Sequence, residues 1–204
     1  MSILKLPVLI LIAYLLGSLP FGYLFVKYFK KTDVRANGTG NIGATNAMLV
    51  GGKILGIITL MLDVAKGSAA VILAKVYGGG DWTIILCALA VVVGHDFSVF
   101  LNFKGGKGIS TSGGAMLIID PALTIICLLL YLLFLLSTRY VIMSTLMVMA
   151  LLPLMLWLVS YGFNYILFGI LLAALAWYVH RADVRRFFAG EETRLDEAWS
   201  KYSK

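Results

Sequence analysis

From Ile3 to Val179 the chain is a succession of long apolar runs broken only by short polar segments, and that alternation constrains the fold more than any other feature. A bilayer core of ~30 Å needs roughly 20 apolar helical residues per crossing. With 204 residues, 61% of them hydrophobic and 13% charged, there is material for about five to seven such crossings and none left over for a separate soluble part. The expectation is therefore one all-α, polytopic membrane domain spanning 1–204, and a soluble binding module is excluded. The N-terminus carries Lys5 and a long apolar run with no small-residue cleavage site before hydrophobicity resumes past Pro20, so it reads as a retained first span.

Charge sets the expected topology. The first run, Ile3 to Phe29, ends in Lys27, Lys30, Lys31 and Arg35, which mark the cytoplasmic side and leave the N-terminus outside. Gly43 to Tyr77 returns outward, with Asp63 and Lys66 three apart on one helical face and expected to pair. The turn Gly78-Gly79-Gly80-Asp81 carries no basic residue and suits the outer side, and Trp82 to Phe103 leads back to Lys104 and Lys107. The stretch 105–138 is too long for one untilted span. Because the residue before a proline is pushed out of the helical region, it is split at Asp120-Pro121. Arg139 then lies inside, Tyr140 to Val159 goes out, Tyr165 to Val179 returns, and the basic tail 180–204 is cytoplasmic. Seven spans result; six would strand Arg181, Arg185, Arg186 and Arg194 outside, against the charge bias.

The net charge of +7 is concentrated in a few short connecting segments, which suits anionic lipid and anionic small molecules as partners rather than nucleic acid. Cys87 and Cys127 lie inside apolar runs and read as buried thiols. No repeat of fixed period is present, and the two halves lack the matched broken helices of an inverted-repeat transporter. The tail, with Phe187, Phe188, Leu195 and Trp199 among its arginines, reads equally as a short amphipathic helix in the headgroup layer or as a solvated extension.

This topology puts three unusual polar segments on the cytoplasmic side. The first, Asp33 to Asn46, is rich in glycine and asparagine and runs into an apolar helix. Such a loop can turn successive N–H groups toward one point, forming an anion nest at a helix N-terminus, with Arg35, Gly38, Thr39, Gly40, Asn41, Gly43, Thr45 and Asn46 as candidate contacts; a plain interhelical turn with capping asparagines is the alternative. The second, Phe103-Lys104-Gly105-Gly106-Lys107-Gly108, superficially resembles a nucleotide P-loop, but the first glycine of that pattern is missing and no strand precedes it. Its paired glycines permit close approach to the backbone, and Lys104 and Lys107 supply point charges; the same lysines also serve as topological markers. His95, just inside the bilayer boundary, needs a partner, either a neighbouring helix or a substrate. The third is His180-Arg181-Ala182-Asp183-Val184-Arg185-Arg186, at the inner end of the last span, where a histidine with arginines nearby suits a phosphate or a substrate hydroxyl, or simply ends the span. No zinc-ligand spacing, HExxH, GxSxG or local nucleophile–base pair occurs, so no metal or other cofactor is expected and any chemistry rests on positioning and charge.

The segments and their order resemble the acyl-phosphate-dependent glycerol-3-phosphate acyltransferases of bacterial membranes. The matching stretches are Gly17-Ser18-Leu19-Pro20-Phe21-Gly22, residues 38–46, Gly94-His95 with residues 103–108, and His180-Arg181 with Arg186 and Gly190-Glu191-Glu192. The resemblance implies a seven-helix fold and transfer of a fatty acyl group from acyl phosphate to the 1-hydroxyl of glycerol 3-phosphate, giving lysophosphatidic acid. It also implies that the first loop, with Thr39 where the family usually has serine, holds phosphate. Lys104, in its Lys-Gly-Gly-Lys loop, would pair the phosphate of glycerol 3-phosphate, His180 would contact the acceptor's glycerol, and Glu192 would brace the third segment. Three positions depart from the family: Leu49 for an arginine, Asp183 for an asparagine and Ser98 for a proline. Loss of a guanidinium and gain of a carboxylate predict weaker dianion binding unless Arg35 or Arg185 compensates. A slower enzyme, an altered acceptor, or a binding or transport relative without chemistry are the readings that follow.

Overall fold

A computed structural model describes residues 5–77 and 79–202, so Ile3 of the first run and Gly78 of the glycine turn lie outside the described residues. Every expected apolar run is helical, and no strand occurs among the described residues. The chain divides into two compact units, residues 1–119 with 199–204, and residues 120–198.

In the first unit, α1 (Lys5–Ser18) and α2 (Phe21–Lys30) form one 26-residue apolar stretch interrupted at Leu19-Pro20. A short 3₁₀ turn at Val34–Ala36 leads to α3 (Ala44–Gly51), α4 (Lys53–Tyr77) and α5 (Asp81–Asp96). A second 3₁₀ turn, Val99–Leu101, precedes α6 (Ile109–Ile119). Helices α1 and α5 pack backbone to backbone, since a carbon added at Gly17 would strike the Val91 carbonyl and one at Gly94 the Tyr14 carbonyl. Ser98, at the position of the expected proline, donates its hydroxyl to the Ser18 carbonyl at 2.5 Å and so ties the Val99 turn to the end of α1.

A second expected span, after the one interrupted at Leu19-Pro20, is also not continuous. Residues 43–77 break into α3 and α4 at Gly52, whose φ of 97° belongs to the region open to glycine, and α3 folds back so that Gly56 lies against Met48. The Gly51-Gly52 pair carried that signal, but the apolar run around it masked the break.

The second unit holds α7 (Pro121–Thr138), α8 (Val141–Leu158), α9 (Phe163–Val179), α10 (Arg181–Phe188) and the start of α11 (Leu195–Tyr202). Asp120 is extended, as a residue before proline should be, and its carboxylate accepts the Leu123 N–H at 2.9 Å while Pro121 opens the helix. The other carboxylate oxygen accepts the Tyr161 hydroxyl at 3.2 Å. Asp120→Ala removes both contacts and should lower thermal stability in detergent by about 1–2 kcal/mol with no effect on substrate affinity. Along α7 only Leu123 is buried, leaving Leu128, Leu129, Leu132, Leu133 and Leu136 on a surface suited to lipid. The tail is helical and packs back on its own unit: Phe187 meets Tyr140 edge-on at 5.0 Å, and the Leu195 N–H reaches the Arg139 carbonyl.

Five stretches among the described residues are long and apolar enough to cross a membrane, and α9 with α10, bent by 60°, makes a sixth candidate. Helix α6, at 11 residues, covers only about half of a ~30 Å hydrocarbon core.

Candidate active site

The first loop is built around Asn46. This side chain is buried, its carbonyl oxygen accepts the Thr39 N–H at 2.8 Å, and its NH₂ is shared among the carbonyls of Val34 (2.8 Å), Asn41 (2.7 Å) and Asn37 (3.1 Å). The hydrogen-bonding capacity of the amide is therefore spent within the chain, making Asn46 an organiser of the loop. Gly38 has φ 62°, and a carbon there would collide with the Asn46 carbonyl oxygen, so the residue that permits the turn also makes room for its clamp. Gly40 likewise has positive φ, and Asn41 caps its neighbour by accepting the Ile42 N–H at 2.8 Å.

Gly43 caps α3 without any side-chain hydrogen bond. The opening amides of a helix have no intrahelical acceptor, and here they follow a glycine-rich loop with Thr39 and Thr45 exposed beside it. Of the loop amides expected to converge, those of Thr39, Ile42 and Gly40 are spent on Asn46, Asn41 and Asn37, which leaves the first turn of α3 as the place where N–H groups lack an acceptor in the helix. Arg35 is committed elsewhere: its guanidinium binds both oxygens of Asp33, the closest contact being 2.7 Å, and lies 4.8 Å from the centre of the Tyr23 ring. The hydrogen bond from Arg35 pulls the Asp33 carboxyl down to about 2. The stabilisation from this lowered value is complete above the ordinary carboxylate range and is lost only as pH falls through about 2, so the pair does not titrate near neutrality. Leu49, at the family's arginine position, is buried in α3.

The second loop joins the first through a shared apolar cluster of Val26, Val34, Ile42, Ala47 and Leu101. Asn102 and Phe103 turn the chain with positive φ, and the Gly105 and Gly106 N–H groups then donate to the Asp96 and His95 carbonyls at 3.0 and 2.9 Å. The paired glycines were expected to admit a ligand. The close approach they make is instead to α5, since a carbon at Gly105 would meet the His95 carbonyl and one at Gly106 would meet His95 Nε2. Lys104 is exposed at the loop's tip, Lys107 half-buried, and Gly108, with φ 65°, rests on Asp96 and Val92.

Beneath this loop lies a polar cluster. The expected Asp63–Lys66 pair is present at 2.8 Å, and Lys66 also donates to the Leu19 carbonyl at 2.9 Å and lies 5.6 Å from the Phe21 ring centre. His95 is buried, with Nδ1 3.2 Å from the Thr111 hydroxyl and 3.5 Å from the Asp63 carboxylate. Sequence reasoning missed Thr111 and Asp96; the carboxylate of Asp96 is buried and makes no hydrogen bond among the described residues. A carboxylate inside an apolar span was the available signal.

In the second unit, His180 closes α9 and is buried, with Nδ1 2.8 Å from the Ala176 carbonyl. A carbonyl only accepts, so Nδ1 carries a proton toward it. Arg186 donates from Nε to Glu192 at 2.9 Å and from its NH₂ group to Asp183. The departure at Asp183 thus adds a carboxylate whose charge is met locally, and Glu192 braces the turn through Arg186.

Among the described residues no group of histidine, cysteine, aspartate and glutamate is arranged to hold a metal ion. A profile of the family described as "Glycerol-3-phosphate acyltransferase" matches residues 7–190. The glycerol-3-phosphate acyltransferase of Syntrophomonas wolfei is 37% identical over 189 residues, covering 93% of this chain and 96% of that one. The corresponding protein of Sinorhizobium fredii is 40% identical over 184 residues, covering 90% of this chain and 89% of the relative. Crystal structures of PlsY, an integral membrane glycerol 3-phosphate acyltransferase, are similar throughout. The glycerol 3-phosphate form has a TM-score of 0.89 at 34% identity, covering 94% of this chain and 96% of that one. The lysophosphatidic acid form has a TM-score of 0.87 at 33% identity, covering 95% and 98%.

Proposed function

The chain belongs to the family of glycerol-3-phosphate acyltransferases, and on that premise we propose that it is a bacterial membrane enzyme acylating the 1-hydroxyl of glycerol 3-phosphate from acyl phosphate at the cytoplasmic face. The observation that carries the residue-level reading is the first loop, where a buried asparagine holds a glycine-rich turn at the uncapped start of α3. In this reading the seven apolar helical runs all cross the membrane, the N-terminus lies outside and the tail 180–204 is cytoplasmic.

The donor's phosphate sits on the amides at the uncapped start of α3, from Gly43 to Thr45, where the helix dipole favours a dianion. In the first unit Lys104 and Lys107 hold the phosphate of the acceptor; for His180, in the second unit, the family resemblance supports contact with a glycerol hydroxyl. The hydroxyl oxygen bonds to the acyl carbon while the bond from that carbon to the phosphate oxygen breaks. The hydroxyl proton passes to a phosphate oxygen, and inorganic phosphate leaves. Acyl phosphate is a mixed anhydride with a good leaving group, so no enzyme nucleophile is required. Catalysis comes from holding the reactants and from cations and N–H groups placed where negative charge develops. The acyl chain lies against lipid-facing helices.

Purified protein in detergent with acyl phosphate and glycerol 3-phosphate should release inorganic phosphate and lysophosphatidic acid in equal amounts. Uptake of labelled glycerol 3-phosphate into proteoliposomes with no phosphate released would replace the enzyme reading by transport.

A further inference from the structure

The Lys104–Lys107 loop has no regular structure of its own, yet its charges can select a phosphate only if its backbone is held in place. Two hydrogen bonds, from the Gly105 and Gly106 N–H groups to the Asp96 and His95 carbonyls, tie it to the end of α5, and beneath them lies a stack. Gly106 lies directly on the edge of the His95 ring at Nε2, close enough that a side chain could not fit between them. The opposite side of the same ring, at Nδ1, faces the hydroxyl of Thr111 on α6 and the carboxylate of Asp63 on α4. Asp63 is itself fixed by Lys66, whose ammonium is anchored to the Leu19 carbonyl between α1 and α2. Helices α4, α5 and α6 therefore converge on one imidazole whose free edge supports one loop.

None of these buried groups is exposed for substrate to reach: His95, Asp63 and Thr111 are at most 4% exposed. A histidine needed only to bridge helices would not require a glycine on its far side. The pairing of a buried ring with a glycine that can bear no side chain points to a backbone height that matters.

We propose that His95 is a positioning residue, anchored from inside the bundle by Asp63 and Thr111, that sets the position of the Lys104–Lys107 backbone and so the enzyme's affinity for the phosphate of its acceptor. The proposal rests on the assignment of that loop to glycerol 3-phosphate. It separates His95 from Lys104, which touches substrate, and it predicts that one kinetic constant moves and the others stay.

Steady-state kinetics on purified variants test it. Thr111→Val leaves the Asp63–Lys66 pair untouched and should raise KM for glycerol 3-phosphate roughly fivefold, and His95→Ala roughly 20-fold. In both, kcat and KM for acyl phosphate should stay within about twofold, the pattern of lost uniform binding. His95→Gln, long enough to keep a polar tip beneath Gly106, should recover most of the loss. Gly106→Ala, which lifts the loop from the other side, should reproduce the His95→Ala pattern and add little when combined with it. Hydrogen exchange at the Gly105 and Gly106 amides should accelerate in His95→Ala and in Thr111→Val.

A fall in kcat with KM for glycerol 3-phosphate unchanged, or unchanged exchange in the loop of a folded variant, overturns the proposal. If His95→Ala does not fold, the milder Thr111→Val decides alone. If the wild-type protein makes no lysophosphatidic acid, the functional reading fails, and the exchange measurement still tells whether His95 holds the loop.

Discussion

Asn46→Ala should reduce lysophosphatidic acid formation by at least about 100-fold, mostly through a higher KM for acyl phosphate, because it removes the clamp on the loop proposed to hold the donor's phosphate. The amide of Asn46 serves three carbonyls and one N–H drawn from Val34 to Asn41. Each partner left unsatisfied and buried costs about 1–3 kcal/mol, so the loop escapes the penalty by opening toward water, and the amides cease to converge. Asn46→Asp is the sharper variant. It retains an acceptor for the Thr39 N–H but replaces the NH₂ with an oxygen facing three carbonyl oxygens, and adds negative charge where a dianion is to bind. Its loss should equal or exceed that of alanine. Near-normal activity in either variant would remove the nest from the mechanism.

Lys104→Ala should abolish turnover to background, a loss on the order of 1,000-fold, by deleting the exposed charge at the tip of the second loop. Lys104→Arg should restore little, since a planar fork at the tip of a short glycine turn presents its donors differently from a compact ammonium. The contrast with His95 is informative: Lys104→Ala deletes the cation proposed to meet the acceptor's phosphate, whereas His95→Ala should leave that cation present and misplaced.

The sequence reading placed the helical runs well because the physics behind them is local. Apolar stretches of crossing length, the Asp120-Pro121 step and the basic residues at the ends of runs each act within a few residues, and each marks a boundary in the helix order, whereas the break at Leu19-Pro20 falls inside a run that reads as one span. Gly52 was missed because the apolar character of its surroundings outweighs a glycine pair when runs are read by hydropathy. The polar segments were visible as composition, but not the division of labour within them. Asn46 and Gly106 looked like ligand contacts, and their roles depend on contacts with Val34 and His95, which are 12 and 11 residues distant along the chain. Arg35 reads from the sequence as a candidate phosphate contact, and nothing in the spacing announces that Asp33 and Tyr23 hold it. Asp183 looked like an electrostatic defect until Arg186 appeared beside it.

The Asp63–Lys66 pair has a consequence for how the protein is made. A helix that carries an isolated carboxylate and an isolated ammonium is a poor candidate for partition out of the translocation channel, each charge costing about 2.5–3.5 kcal/mol near the helix centre. Three residues apart, the two can leave the channel as a neutral couple, and the remaining donor on Lys66 finds its acceptor at Leu19, in a segment synthesised earlier. Helix α4 is therefore expected to enter lipid beside the apolar stretch of α1 and α2 that carries Leu19, so that the order of synthesis doubles as the order of assembly.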